Sequence, residues 1–257
     1  MSMTSCKDSI TLNSSKVVNK REKGICVVVP AYNEYSRISA FMLEAGEFLR
    51  RNKDSVILIA DDGSTDGTVN RIKAINCCKR LKILEFPHQG KWGAIRSAFF
   101  RAEHKIVAIL DCDLSVDFDF VEKNYKFFGN VLFGNRYASI ETEVPFNRWI
   151  LSRGFSALVR FLTGVYVKDS QSPAKILKRD KVVSKAMFEM EERGFIGDVE
   201  LCILLERNEA LIEEIPVKYI YKRGGFKVIK NTKRMFSDLI RLHFKYFWGD
   251  RVARRSS

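Results

Sequence analysis

Apolar positions along the chain follow two alternating patterns. Short continuous runs read as strands buried on both faces: "ICVVVP" (25–30), "SVILIADD" (55–62), "LKILEF" (81–86), "KIVAILD" (105–111) and "VLFGNR" (131–136). Longer segments of helical period lie between them. "EYSRISAFMLEAGEFLRRN" (34–52) sets Ile38, Phe41, Met42, Ala45 and Phe48 on one stripe, "DGTVNRIKAI" (66–75) opens a second helix, and "GKWGAIRSAFFRAEH" (90–104) forms a third from a glycine-containing start. Strand and helix in alternation predict an α/β domain, its mostly parallel central sheet covered by helices on both faces. In such sheets ligands bind beyond the carboxyl ends of the strands. No uncharged apolar run reaches the ~18 residues of a spanning helix. Residues 1–23 lack a signal-peptide core and read as a polar, mobile leader.

The strand ends carry the candidate chemistry. The first ends in "PAYNE" (30–34), the second in "DDGSTDGT" (61–68) and the fourth in "DCDLS" (111–115), which places Glu34, Asp61, Asp62, Asp66, Asp111 and Asp113 on one edge. Acids gathered near an apolar core repel one another and resist ionisation unless a cation sits among them. Side chains two apart on a strand point the same way, so Asp111 and Asp113 can converge on one ion. Oxygen-only ligation suits Mg²⁺ or Mn²⁺, held by one or two carboxylates together with substrate phosphates. Each motif also has a plainer use. Asp-x-Asp is common in loops, "DGSTDG" is good turn chemistry with Asp66 as a helix N-cap, and "PAYNE" can simply end a strand. Three such ends in register on one edge point to a metal and the diphosphate it bridges.

Charge changes the picture at one end only. The formal net charge is +13, and from Pro216 onward twelve Lys and Arg face two Asp, so +10 of it lies in the last 42 residues. A basic tail on a balanced body implies an anionic partner there. None of the six cysteines forms a Cys-x-x-Cys pair, which argues against zinc and a disulfide framework and for a reducing compartment.

"VVVPAYNE", "ILIADDGSTDGT", "GKWGA" and "ILDCDLS" together resemble the nucleotide-sugar half of inverting family 2 glycosyltransferases. "GNR" (134–136), "LSRGFSALVRFLTGVYVKDSQSPAKIL" (151–177) and "GFIGDVEL" (194–201) narrow the likeness to dolichyl-phosphate glucose and mannose synthases, which load a sugar onto a polyprenyl phosphate. The resemblance implies a Rossmann-like GT-A fold over 24–230, followed by a basic amphipathic segment, 231–257. It implies that Pro30, Tyr32, Glu34 and Asp62 hold the donor's base and ribose and that Lys91 lies near the nucleotide. Asp111, Cys112 and Asp113 would complete the donor site, with Asp111 and Asp113 on the metal. Ser115 stands where mannose synthases often carry a metal-contacting glutamine. Arg136 would face the phosphates, and Lys222 or Arg223 with Lys227 would close over the diphosphate and the acceptor phosphate. The chain departs from the family at "DSQSPAK", where Pro173 and Ala174 replace Gly and Phe while Asp169, Gln171 and Lys175 remain, and at "YKRGGFK". "DSQ" and the chain length are more like the glucose synthases, which implies UDP-glucose as donor.

"RWILSRGFSALVRFLTGVY" (148–166) reads either as a core helix with exposed arginines or as a helix in the membrane interface with Arg148 and Arg153 directed at phosphates. "NTKRMFSDLIRLHFKYFW" (231–248) has a stripe of Met235, Leu239, Leu242 and Tyr246 beside a second of Phe236, Ile240, Phe244 and Phe247, with lysines and arginines available as flanks. Such a helix fits peripheral docking on the cytoplasmic face of an anionic membrane. Aromatics at helical spacing do not make a stacking groove, so no nucleic-acid partner is expected. The expected reaction is displacement at the anomeric carbon through an oxocarbenium-like transition state, with Asp113, Arg136 and Asp198 as the catalytic candidates. A phosphate acceptor arrives largely deprotonated, so Asp198 orients rather than acts as a base; as a bland alternative it supplies charge to a helix N-terminus. Two other functions fit the sequence: a family 2 transferase acting on a sugar or protein hydroxyl, and a non-catalytic nucleotide- or membrane-binding protein.

Overall fold

The structure, a computed structural model, describes residues 24–76, 78–222 and 228–248, without the side chains of 228–233 and 248. The leader 1–23, Arg223, Lys227 and the closing residues 249–257 lie outside the described residues. Seven strands form one sheet in the order β3-β2-β1-β4-β6-β5-β7. They are β1 (Cys26–Ala31), β2 (Val56–Asp61), β3 (Leu81–Glu85), β4 (Ile106–Leu110), β5 (Val131–Asn135), β6 (Ala174–Lys178) and β7 (Ile212–Pro216). β1, β2, β3 and β4 are parallel, as the alternation requires. β6 runs against both β4 and β5, and β7 pairs parallel to β5.

The helices are α1 (Ile38–Arg51), α2 (Thr68–Ile75), α3 (Lys91–Arg101), α4 (Phe118–Asn124), α5 (Phe146–Thr163), α6 (Lys181–Glu189), α7 (Gly197–Arg207) and α8 (Val228–His243), the last continued by a π-turn, Phe244–Trp248. Alternate strand residues feed two cores. Val27 and Val29 pack with Phe41, Phe48, Ile72 and Phe118 from α1, α2 and α4. Val28 packs on the other face with Trp92, Phe99, Met187, Leu201 and Leu205 from α3, α6 and α7. The predicted α1 stripe is buried as read, and Leu49 joins it. α8 and the turn after it also belong to the second core: Leu239, Leu242 and Tyr246 are buried in it, Met235 is buried and Phe247 packs against it partly buried, whereas Phe236, Ile240 and Phe244 are exposed. The first stripe is therefore packed, and the second is open except at Phe247.

Pro173 has a local reason. It stands one residue before β6 begins at Ala174, which pairs with Leu110. Proline at that position removes no ladder hydrogen bond.

Candidate active site

The loops after β1, β2 and β3 are tied together by the acids expected to gather round a cation. Asp61 accepts the amides of Gly63 (3.1 Å) and Ser64 (3.0 Å). Asp62, 2% exposed, accepts the amides of Gln89 (2.7 Å) and Gly90 (2.9 Å) and faces His88 Nδ1 at 2.9 Å. Asp66 accepts from the amides of Tyr35 (3.1 Å) and Thr68 (3.0 Å), so it holds the first turn of α2, although Gly67 occupies the N-cap position itself. Glu34 is paired with Arg37 at 2.6 Å. Four of the six acids on this edge are thus engaged by amides or side chains of these loops. The sequence reading, in which carboxylates from three strand ends surround one ion, is corrected here. A short acid beside two or three N–H donors is stable without any metal.

The acids after β4 differ. β4 stops at Leu110, and Asp111–Asp113 lie in the following turn, where Leu114 has φ 55°. The two carboxylates are therefore placed by a turn, not by strand alternation. Asp111 Oδ1 is 2.7 Å from Lys91 Nζ, at the first residue of α3. Burial disfavours the Lys91 ammonium, but Asp111, Asp198 and Asp113 outweigh it and hold the group well above the usual amine range. Asp113 Oδ1 accepts from the Ser115 amide (2.9 Å) and from the Ser115 hydroxyl. Ser115 is buried, and its hydroxyl, by donating to the carboxylate, holds it in place. Burial raises the Glu34 carboxyl, Arg37 partly offsets this, and Asp113 adds to the rise, so the negative charges feel one another across the pocket. Cys112 points into the core, 4% exposed, and burial, reinforced by Glu34, Asp111 and Asp113, pushes its thiol up.

Among the described residues no three acidic, histidine or cysteine side chains converge as a metal cage. Asp111 and Asp113 each keep one oxygen, Oδ2, without a partner among those residues. Two partly exposed carboxylates with spare oxygens fit a hard divalent cation that takes its remaining ligands from phosphate and water.

The start of α3 is fixed from a distance. Arg193 O accepts the amides of Trp92 (2.8 Å) and Gly93 (3.3 Å). Gly90 has φ +95°, and a Cβ there would lie 2.4 Å from Arg193 O, so only glycine permits this approach. The loop that supplies Arg193 is held in turn by Glu200, fully buried, which accepts the amides of Glu191 (2.9 Å) and Glu192 (2.6 Å), the Tyr246 hydroxyl (2.7 Å) and Lys245 Nζ (3.0 Å).

Two ion pairs engage buried carboxylates, Asp198 and Asp169. Lys175, 2% exposed, sits 2.6 Å from Asp198 Oδ1 and also donates to Ser172 O. Asp198 occupies the first turn of α7, as the bland sequence reading has it, but its oxygen is committed to Lys175. Arg136 grips Asp169 with both arms, Nε to Oδ2 at 2.8 Å and Nη2 to Oδ1 at 2.7 Å, while its own amide donates to Oδ2 at 3.0 Å. Burial disfavours the Arg136 charge, and Asp169 more than compensates. Lys175 and Asp169 were legible only as members of "DSQSPAK". Nothing in their spacing reveals partners at positions 198 and 136.

A family model for glycosyl transferase family 2 matches residues 26–182, from β1 into α6. The chain belongs to glycosyl transferase family 2. This glycosyltransferase is 29% identical to the dolichyl-phosphate beta-glucosyltransferase of Saccharomyces cerevisiae, over 88% of its own chain and 75% of that protein. It is 28% identical to the Homo sapiens protein of the same name, over 88% and 77%. Among solved structures, glucosyl-3-phosphoglycerate synthase from Mycobacterium tuberculosis with UDP superposes with a TM-score of 0.64 at 19% identity, covering 94% of this chain and 86% of that one. A mannosyltransferase from Pyrobaculum calidifontis in complex with GDP-Man and Mn²⁺ superposes with a TM-score of 0.61 at 16% identity, over 86% and 63%. The glycosyltransferase therefore has the GT-A fold.

Pro30 is half-buried within β1, and Tyr32, just past it, is 44% exposed. Arg148, near the start of α5, donates to the Tyr221 hydroxyl and lies 4.2 Å over that ring. Arg153 is exposed and lies over Trp149 (4.9 Å) and Tyr137 (5.3 Å). Arg136 stands 5.3 Å over Tyr219. The sequence reading missed this set of tyrosines, because Tyr137 and Tyr219 are 82 residues apart and meet only around the arginines. Lys222 is exposed beside Tyr221. α5 carries features of both alternatives for 148–166: Val159 is fully buried in the second core and Phe155, Leu158 and Leu162 pack against it, while Phe146, Trp149, Ile150, Leu151 and Phe161 are exposed.

Proposed function

We propose that this glycosyltransferase moves glucose from UDP-glucose to a polyprenyl (dolichyl) phosphate at the surface of an anionic membrane. The reading rests chiefly on relatives named dolichyl-phosphate beta-glucosyltransferase, which match along most of their length and of this chain. The lysine–aspartate pair at the carboxyl edge of the sheet supports it. Lys91, held charged beside Asp111, sits where negative charge grows on a leaving diphosphate. A divalent cation bound through Asp111 and Asp113 would neutralise more of that charge. Ser115 fixes Asp113, and the Arg193 carbonyl fixes the helix start that carries Lys91. Arg148, Arg153 and Lys222 offer positive charge on the acceptor side. A phosphate monoester is largely a dianion at neutral pH and attacks without a general base. Asp198, committed to Lys175, suits an orienting role.

The test is a panel of radiolabelled UDP-glucose, UDP-N-acetylglucosamine and GDP-mannose with dolichyl phosphate and Mn²⁺. Organic-extractable glucose from UDP-glucose is the expected product. No labelled lipid from any donor would refute the reading.

The membrane component has its own support. No helix among the described residues is long and apolar enough to cross a membrane. α5 and α8 pack together, with His243 Nδ1 bonded to the Leu162 carbonyl, and both expose large apolar side chains, including Phe161 (84%) and Phe244 (52%). Exposed aromatics and aliphatics with interspersed arginines fit an interfacial position. The protein should float with vesicles containing phosphatidylserine. Trp149→Glu combined with Phe161→Glu should leave most of it in the aqueous fraction, and undiminished flotation would exclude α5 as the contact.

A further inference from the structure

His88 is an unassigned residue at the donor edge, and three observations converge on it. Its ring stacks on Tyr32, with centroids 4.4 Å apart and planes 25° apart. Both rings are open to solvent, Tyr32 at 44% and the His88 side chain at 59%, beyond the carboxyl ends of β1 and β3. The imidazole is also anchored from behind: Nδ1 lies 2.9 Å from Asp62 Oδ2 and 3.1 Å from the Asp62 carbonyl. Both neighbours only accept hydrogen bonds, so Nδ1 carries the proton and the ring is held in one orientation. The backbone below is equally fixed. Asp62 takes the next two amides, and Gly63, at φ +78°, lets His88 N come so near that a Cβ at 63 would lie 2.9 Å from it.

An exposed pair of stacked rings, one of them clamped by a buried carboxylate, is a flat surface held in place by the protein itself. Every nucleobase has a π-face, and stacking on a pre-set aromatic ring costs little ordering. We propose that His88 is a positioning residue for the donor: it backs Tyr32 and sets the plane on which the donor's nucleobase stacks. The inference rests on the reading of the donor as a uridine diphosphate sugar. It goes beyond that reading by giving His88 the task of fixing the Tyr32 ring from behind, apart from the Lys91–Asp111 end that meets the diphosphate.

The test compares His88→Ala and His88→Phe with the wild type, using UDP and inorganic pyrophosphate as probes in calorimetric titrations with Mn²⁺. His88→Ala should weaken UDP binding about tenfold, the loss of one ring–ring contact. Pyrophosphate, which has no base, should bind both proteins alike. His88→Phe keeps a ring behind Tyr32 and should recover UDP affinity to within about threefold of wild type. In turnover, KM for UDP-glucose should rise in His88→Ala by more than kcat falls. Equal UDP binding by wild type and His88→Ala, or a parallel loss of pyrophosphate, would overturn the inference and leave the donor reading intact. Wild-type protein that binds pyrophosphate but not UDP would instead overturn the donor reading, and the inference with it. The side chain is mostly exposed, so all three proteins should fold, and their melting curves verify this.

Discussion

Asp113→Ala will lower glucosyl transfer about a thousandfold, at the upper end of what one pre-organised electrostatic contact contributes, and will leave the protein folded. Asp113 is half-buried, and its recorded partners are the amide and hydroxyl of Ser115 two residues away, so its removal disturbs only a local turn. The stability cost is that of one unsatisfied buried hydroxyl, about 1–3 kcal/mol. What is lost is a carboxylate with an open oxygen beside Asp111, in a pocket where Glu34 already registers its charge. Ser115→Ala separates charge from its positioning. The carboxylate survives there but loses a hydrogen bond, and the expected loss is roughly tenfold, the equivalent of one net hydrogen bond. Turnover at saturating UDP-glucose with Mn²⁺, alongside a melting curve, reads both effects. Asp113→Ala with activity within tenfold of wild type would remove this residue from the reaction.

Arg136→Ala should lower stability by about 3–5 kcal/mol, because it strands a buried carboxylate. Asp169 is fully buried, and its two oxygens take both arms of the guanidinium. Arg136→Lys should not restore the loss, since a single ammonium cannot reproduce the two-pronged geometry. Replacing both partners, Arg136→Met with Asp169→Leu, should be far milder than either single change, because no charge is then left unpaired. Denaturant unfolding of the four proteins decides the matter. The sequence reading turned Arg136 toward the phosphates. Should Arg136→Ala unfold like the wild type and fail only in turnover, that reading would be the one supported.

The strands and helices of the first half were legible because their patterns depend on local chemistry. Val27, Val28 and Val29 can be satisfied together only inside a sheet covered on both sides, and the stripe from Ile38 to Phe48 has one helical face to bury. The same logic gave the shared edge for the ends of β1, β2 and β4, since parallel strands joined by helices must end together. The likeness of "DDGSTDGT" and "DCDLS" to family motifs pointed to a glycosyltransferase, and the family model bears this out. Charge count alone misled about the acids. A sequence shows that six carboxylates share an edge but not which amides each will meet. Folding gives Asp61, Asp62 and Asp66 to turn amides and leaves Asp111 and Asp113 with open oxygens.

Tertiary structure alone decided the long-range pairings. Lys175 with Asp198, Arg136 with Asp169, and Glu200 with Tyr246 join positions 23 to 46 residues apart, and no periodicity records them. It also decided which apolar stripe of α8 is buried, because Met235, Leu239 and Phe236, Ile240 are equivalent as hydrophobic patterns until one meets the body. Local pattern fixes what a segment can form through its own backbone and one face. Which charged group meets which, and which face stays open to a partner, depends on elements that come together only after the sheet has closed around its two cores.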